Sequence, residues 1–273
     1  MTLRHWSLPP CPTLAPFIDR FWGWQTPATL TLPPMLPGTG SEAFFHLAPP
    51  PCRIDGTGLP QAYLVTPRSR VLQLTSGARL EFIAIRFKSG QLRHLTGLPF
   101  AELNDQLLSW PQLWGYAGEQ LLAELGSGST VQEQIALLRR FLLAQLQRHH
   151  QGAQPEDSLI QRLYYEPTLR IESLAQWSGW SRRQLERRFQ NAFAIPPKRF
   201  ARLARLQHTV RTMVLVPERP LLEIGLDSGF CDQPHLIHEF QELTGLTPLQ
   251  LRQSLLQGVH YYHAPSRQPL RQR

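Results

Sequence analysis

The spacing of apolar residues changes twice along the chain. In the first third they come in short bursts, at 62–65, 71–74 and 80–87, and the last burst alternates in part, which predicts a half-buried strand. Fifteen of the 25 prolines lie between Pro9 and Pro111, and each removes a backbone donor, so long helices are excluded there. Gly38, Gly40, Gly56, Gly58, Gly77 and Gly90 supply turns between the bursts. Residues 1–111 are therefore predicted to form a β-rich domain. From about residue 113 the rhythm becomes helical, and Val131, Ile135, Leu138, Leu142 and Leu146 form one stripe. That stripe predicts a helical segment over 112–150, packed on its own domain or serving as a dimer helix. A linker at 151–155 follows, then short helices over 156–255, then a flexible basic tail over 256–273 with Arg267, Arg271 and Arg273.

The helical third repeats itself. Ala175, Gly179, Trp180, Ser181, Leu185 and Phe189 are echoed by Gly225, Gly229, Phe230, Asp232, Leu236 and Phe240. A small residue lets two helices cross closely, and a glycine can end the first helix in the left-handed conformation. An aromatic fills the corner, Ser or Asp caps the second helix, and Leu-x-x-x-Phe faces inward. This is the punctuation of two helix–turn–helix units. Their second helices turn outward Ser181, Arg182, Arg183, Glu186, Arg187 and Gln190 in the first copy, and Gln233, His235 and His238, with Glu239 and Gln241, in the second. Such helices fit the major groove, where Arg reads guanine and Gln reads adenine. A connecting helix from Pro197 to about Leu215 offers Lys198, Arg199, Arg202 and Arg205 to phosphates and is long enough to set the reading helices about one DNA turn apart.

Charge sharpens this picture. The 28 Lys+Arg and 20 Asp+Glu give +8, and residues 181–211 alone hold nine cations and one acid. The whole excess thus sits on the first reading helix and the connector, as expected of a face for a polyanion.

These motifs, with Ile195-Pro196-Pro197-Lys198-Arg199-Phe200 and the closing Thr244-Gly245-Leu246-Thr247-Pro248-Leu249, resemble the AraC/XylS family of bacterial transcription regulators over residues 156–255. The resemblance implies an all-α domain of two helix–turn–helix units joined by a long helix, binding adjacent major grooves of promoter DNA. It carries base contacts onto Arg183, Glu186 and Arg187, and onto Gln233, His235 and His238. Gly225 stands where the family usually has alanine, and His238 where arginine is common. Residues 14–24, 36–47 and 85–90 resemble, less specifically, an upstream β-rich domain of some such regulators, although 37–40 reads Pro-Gly-Thr-Gly rather than Pro-Asp-Gly-Cys. That implies a cupin-like β-barrel with trailing helices, so the fold class is α+β and multidomain. Such domains sense a small molecule or dimerise.

Catalytic signatures are missing from the sequence. No GxSxG, P-loop or dinucleotide fingerprint occurs, and an enzyme is not expected. His46 stands alone near Glu42 and reads as a half-buried strand histidine, and His235 with His238 reads as DNA contact in preference to metal. No metal and no cofactor is expected. Cys11, Cys52 and Cys231 fit a reducing compartment, with a redox pairing of Cys11 and Cys52 as the lesser reading. Trp6, Trp22, Trp24, Trp110 and Trp114 read as core before pocket. No apolar run approaches the ~18 residues a membrane span needs, and 1–10 lacks an apolar signal core, so a cytoplasmic protein is expected. The leading expectation is a sequence-specific transcriptional regulator, an activator, with promoter DNA and RNA polymerase as partners and a small effector at the N-terminal domain. The alternatives are an effector-independent homodimeric regulator, or a small-molecule-binding cupin-like protein with secondary DNA binding.

Overall fold

The computed structural model describes residues 4–29, 32–76, 79–127, 130–166, 168–257 and 260–261. The strands are β1 (Arg4–Leu8), β2 (Ile18–Thr29), β3 (Glu42–His46), β4 (Cys52–Arg53), β5 (Ala62–Val65), β6 (Leu74–Thr75), β7 (Arg79–Phe87) and β8 (Leu107–Ser109). Six of them form one antiparallel sheet in the order β1-β2-β7-β3-β5-β8, while β4 and β6 pair separately. The expected barrel is thus an open sheet: β1 and β8 are its two edges and do not pair with each other.

Strand alternation sends side chains to two cores. Phe21, Phe45, Ile83, Ile85 and Phe87 face the helices α1 (Trp110–Trp114), α2 (Tyr116–Ser127) and α3 (Val131–His149). Trp22, Trp24, Phe44, Tyr63 and Phe82 face the other way, under Met35, Leu59 and Leu74. The strand expected to be half-buried is therefore covered on both faces, because helices close one, and loops together with β6 close the other. The tryptophans divide likewise, Trp110 and Trp114 on the helical side and Trp22 and Trp24 opposite. The stripe of α3, from Ile135 to Leu146, is buried in the helical-side core.

Seven helices follow: α4 (Pro155–Tyr165), α5 (Ile171–Ser178), α6 (Arg182–Phe193), α7 (Pro197–Leu215), α8 (Leu221–Asp227), α9 (Gln233–Thr244) and α10 (Pro248–Gln257). They make two cores, one around Leu185, Phe189, Phe193 and Phe200, the other around Val210, Met213, Leu236 and Phe240. The sheet domain docks on both. Leu36 enters the second helical core, and Thr39 Oγ1 donates to Gln207 Oε1 on α7 at 2.9 Å. Gly90, at φ 73°, lets the backbone approach Ile160 and Phe193, where a Cβ would come within 2.5 Å of either. Asp157 accepts from His94 at 3.0 Å and from Arg93, and caps the Gln154 amide at 2.8 Å. Burial works against its charge, but these hydrogen bonds outweigh burial and hold the carboxyl far below its ordinary range.

Of the expected tail, Leu256 and Gln257 belong to α10, and His260 and Tyr261 are described. Arg267, Arg271 and Arg273 lie outside the described residues.

Candidate nucleic-acid interface

The two turns close with the same hydrogen bonds. Trp180 N–H donates to Ala175 O at 3.2 Å, and Phe230 N–H to Gly225 O at 3.0 Å. In each, the glycine amide reaches three residues back, Gly179 to Gln176 and Gly229 to Leu226, with φ of 69° and 89°. These are left-handed helix ends, which a Cβ would strain. Ser181 Oγ then accepts from Gln184 N, while Gln184 Oε1 accepts from Ser181 N at 2.9 Å. Asp232 Oδ1 accepts from His235 N at 2.8 Å. A capped helix start is where a reading helix meets base edges.

On α6 the inward pair Leu185 and Phe189 is fully buried. Ser181, Arg182, Arg183, Glu186 and Arg187 are all exposed. Arg182 bridges Glu186 at 3.2 Å and Glu172 at 3.7 Å, contacts that an exposed pair gives up readily to a phosphate. Arg188 reaches Glu156 at 3.1 Å and lies 4.5 Å over the Trp180 ring. Arg183 and Arg187 make no ion pair among the described residues, nor do Lys198 and Arg199, exposed at the start of α7. Gln190 does not join this face: it is half-buried, and its Nε2 donates to Ala194 O at 2.8 Å, closing the end of α6.

Two connector arginines turn inward. Arg202 donates to Glu239 at 2.8 Å and Glu242 at 2.6 Å, tying α7 to α9. Arg205 lies 6.0 Å over the Phe230 ring, and burial lowers its pKa. Glu239 is correspondingly 9% exposed rather than outward. On α9, Gln233 and His238 remain exposed, whereas His235 is half-buried against Phe230, its Nδ1 accepting from Cys231 N at 3.2 Å. His238, Glu239 and Glu242 place donor atoms within 4.8 Å of one another, the spacing of a metal set, but Arg202 already lies on both carboxylates. His46, read from sequence as half-buried, is 2% exposed, and burial holds its pKa at about 4. Cys11 and Cys52 are separate free thiols.

Sequence reasoning missed a cavity of about 330 Å3 between the two domains. Arg20, Arg86 and Lys88 reach it from the sheet domain and Arg211 from α7, with Asp19 and Glu42 as the acids. Burial, then the neighbouring Arg86, lowers Arg20 to about 10. Asp19 and Arg211, the extremes of this set, are 192 positions apart, and the set gave no local signal.

A family of helix–turn–helix domains matches residues 174–254, and a domain-of-unknown-function family, DUF6597, matches residues 7–109. The putative HTH-type transcriptional regulator YkgA of Escherichia coli K12 is 32% identical over 87 residues, 32% of this chain and 36% of that protein. The HTH-type transcriptional regulator ArgR of Pseudomonas aeruginosa is 31% identical over 94 residues, 34% and 28%. The match thus spans about a third of the length of these curated relatives. ToxT from Vibrio cholerae aligns with 92% of this chain and 97% of its own at TM-score 0.50 and 11% identity, which shows the fold. Another ToxT structure, bound to (E)-4-(8-methylnaphthalen-1-yl)but-3-enoic acid, aligns over the same shares at TM-score 0.50 and 10% identity. Both helix–turn–helix units thus fall within or beside the segment that matches the helix–turn–helix domain family, and the N-terminal sheet falls within the segment that matches DUF6597.

Proposed function

We propose that the protein is a sequence-specific DNA-binding transcriptional regulator of the bacterial cytoplasm, acting by binding and not by catalysis. The observation that carries this reading is the pair of units closed by matched hydrogen bonds, with Arg183, Arg187, Gln233 and His238 exposed on their second helices. In this reading Ser181, Arg182, Lys198 and Arg199 hold phosphates, Arg183, Glu186 and Arg187 read one major groove, and Gln233 and His238 read the next. The 19 residues of α7 span about 28 Å at ~1.5 Å per residue, close to one DNA turn. Promoter DNA is the principal partner, with RNA polymerase the further one for an activator. Both curated relatives carry the name HTH-type transcriptional regulator, that of Escherichia coli as a putative one.

The interdomain cavity is the effector site in this reading. Its basic lining suits a small anionic molecule, and Arg211 puts such a ligand against α7, which carries both reading helices. Any homodimer through α3 would have to use the outer face, where Leu143 is 37% exposed, since the stripe is buried. The test is binding to the protein's own upstream DNA between 50 and 200 mM salt. About four phosphate contacts predict a roughly hundredfold loss of affinity across that range. Affinity indifferent to salt would sink the reading.

A further inference from the structure

Tyr261, four residues beyond the end of α10, lies on the sheet domain. There the Tyr261 ring stacks on Trp24 with centroids 4.9 Å apart and planes within 3°. It also meets Trp22 edge-on at 6.0 Å, and its carbonyl accepts from Arg86 Nη2 at 3.3 Å. Tyr261 is half-buried and lines the interdomain cavity, so it stands between that cavity and the aromatic face of the sheet. Two polar atoms of this face are buried without a hydrogen-bond partner among the described residues: Trp22 Nε1, in a residue 6% exposed, and His46 Nδ1, in one 2% exposed. A protein interior leaves few such groups unmet, and those that remain mark places where a guest's polar atoms can be received.

We propose that the sheet face carrying Trp22 and Trp24 is a binding site for a planar aromatic molecule bearing a carbonyl or carboxylate, and that Tyr261 is an occupant the chain supplies itself. The guest repeats what Tyr261 does: its ring stacks on Trp24 and its oxygen accepts from Arg86. Arg86 also pairs with Glu42 and lies 5.6 Å over Trp22, which fixes the guanidinium where a guest would need it. Stacked and edge-on contacts with two indoles select a flat ring over an aliphatic group of equal size. Because Tyr261 follows the last helix of the DNA-binding domain, it straps that domain to the sheet, and a guest that takes its place releases the strap. The site does not depend on the DNA-binding reading and is tested without DNA.

The probe is N-acetyl-L-tyrosinamide, which carries the same ring and carbonyl, titrated calorimetrically into the full chain. Tyr261→Ala is expected to bind it at least tenfold more tightly than the wild type, because the competing ring is gone from Trp24. Tyr261→Phe, which keeps the ring, is expected to bind as the wild type does. Adding Trp24→Leu to Tyr261→Ala should abolish the gain. A Tyr261→Ala protein that melts like the wild type yet binds no more tightly overturns the proposal, as does a gain that survives Trp24→Leu. Should Tyr261→Ala fold poorly, hydrogen exchange in the wild type decides. Exchange over residues 248–261 must rise with millimolar probe, and unchanged exchange overturns the proposal.

Discussion

The two helix–turn–helix units share their punctuation and differ in what they do with charge. In the first, α6 is held on α7 by rings, Phe189 packing on Phe200 at 5.4 Å, and its cations face outward. In the second, α9 is held partly by an ion-pair fork, in which Arg202 of α7 reaches both Glu239 and Glu242. A cation that one unit leaves for DNA is therefore used by the other to fix its helix. The charge of +8 overstates the binding face, since Arg202 and Arg205 lie inside it rather than on it. What remains outward is concentrated on the first unit and the start of α7.

The largest test concerns whether the units are equal as cores. Phe189 and Phe240 occupy equivalent positions and are both 0% exposed. Replacing either by Ala should cost roughly 3–5 kcal/mol of stability, measured by denaturant unfolding. A difference above ~2 kcal/mol between them would break the equivalence. The fork gives the next effect. Arg202→Ala leaves the buried Glu239 without its partner, and since the pair keeps some solvent contact the loss should be about 2 kcal/mol. The Arg202 hydrogen bond, then its charge, holds Glu242 below its ordinary value of 4.5. That stability is complete above the unfolded pKa and is lost as pH falls through the lower folded one. Melting scans from pH 7 down to pH 3 should show less acid sensitivity in Arg202→Ala than in the wild type.

Much of the first comparison was legible in sequence, and the second was not. Gly179 and Gly229, the caps Ser181 and Asp232, and the Leu-x-x-x-Phe pairs act within a few residues of themselves, so spacing alone predicts their role. The partners of Arg202 lie 37 and 40 residues away, and no local pattern distinguishes an arginine that reaches DNA from one that reaches a glutamate. The sheet was legible as alternation, but not its second covered face, which Met35 and Leu59 cover from loops and Leu74 from the short strand β6. Tyr261 fell in what composition marked as a basic tail. The one available signal was an aromatic pair, Tyr261 and Tyr262, in an otherwise polar stretch.

On DNA the asymmetry should appear as unequal losses. Arg187 is exposed and unpaired among the described residues, so Arg187→Ala should weaken binding by roughly 1–3 kcal/mol and relax one base position if it reads guanine. His238 lies beside the fork and offers a single, weaker contact, and His238→Ala should cost less than about 1 kcal/mol. Competition binding against singly substituted sites separates the two. Equal losses would show that the second unit anchors as firmly as the first.

The smallest effect lies at the helix crossing, where the first unit has Ala175 and the second Gly225. A Cβ on Gly225 would stand 2.8 Å from Leu236 Cδ2 and 3.4 Å from Cδ1, the mobile end of a side chain and not backbone. Two terms then oppose. Alanine gains about 1 kcal/mol over glycine in a helix interior. Moving Leu236, which is 2% exposed, a few tenths of an ångström inside a packed core costs a similar amount. Gly225→Ala should therefore change stability by less than about 1 kcal/mol in either direction. Ala175→Gly has no clash to relieve and should lose about 1 kcal/mol. If Gly225→Ala instead loses more than ~2 kcal/mol in denaturant unfolding, Leu236 has no room to yield. The glycine would then mark a closer helix crossing in the second unit, a difference in geometry added to the difference in charge.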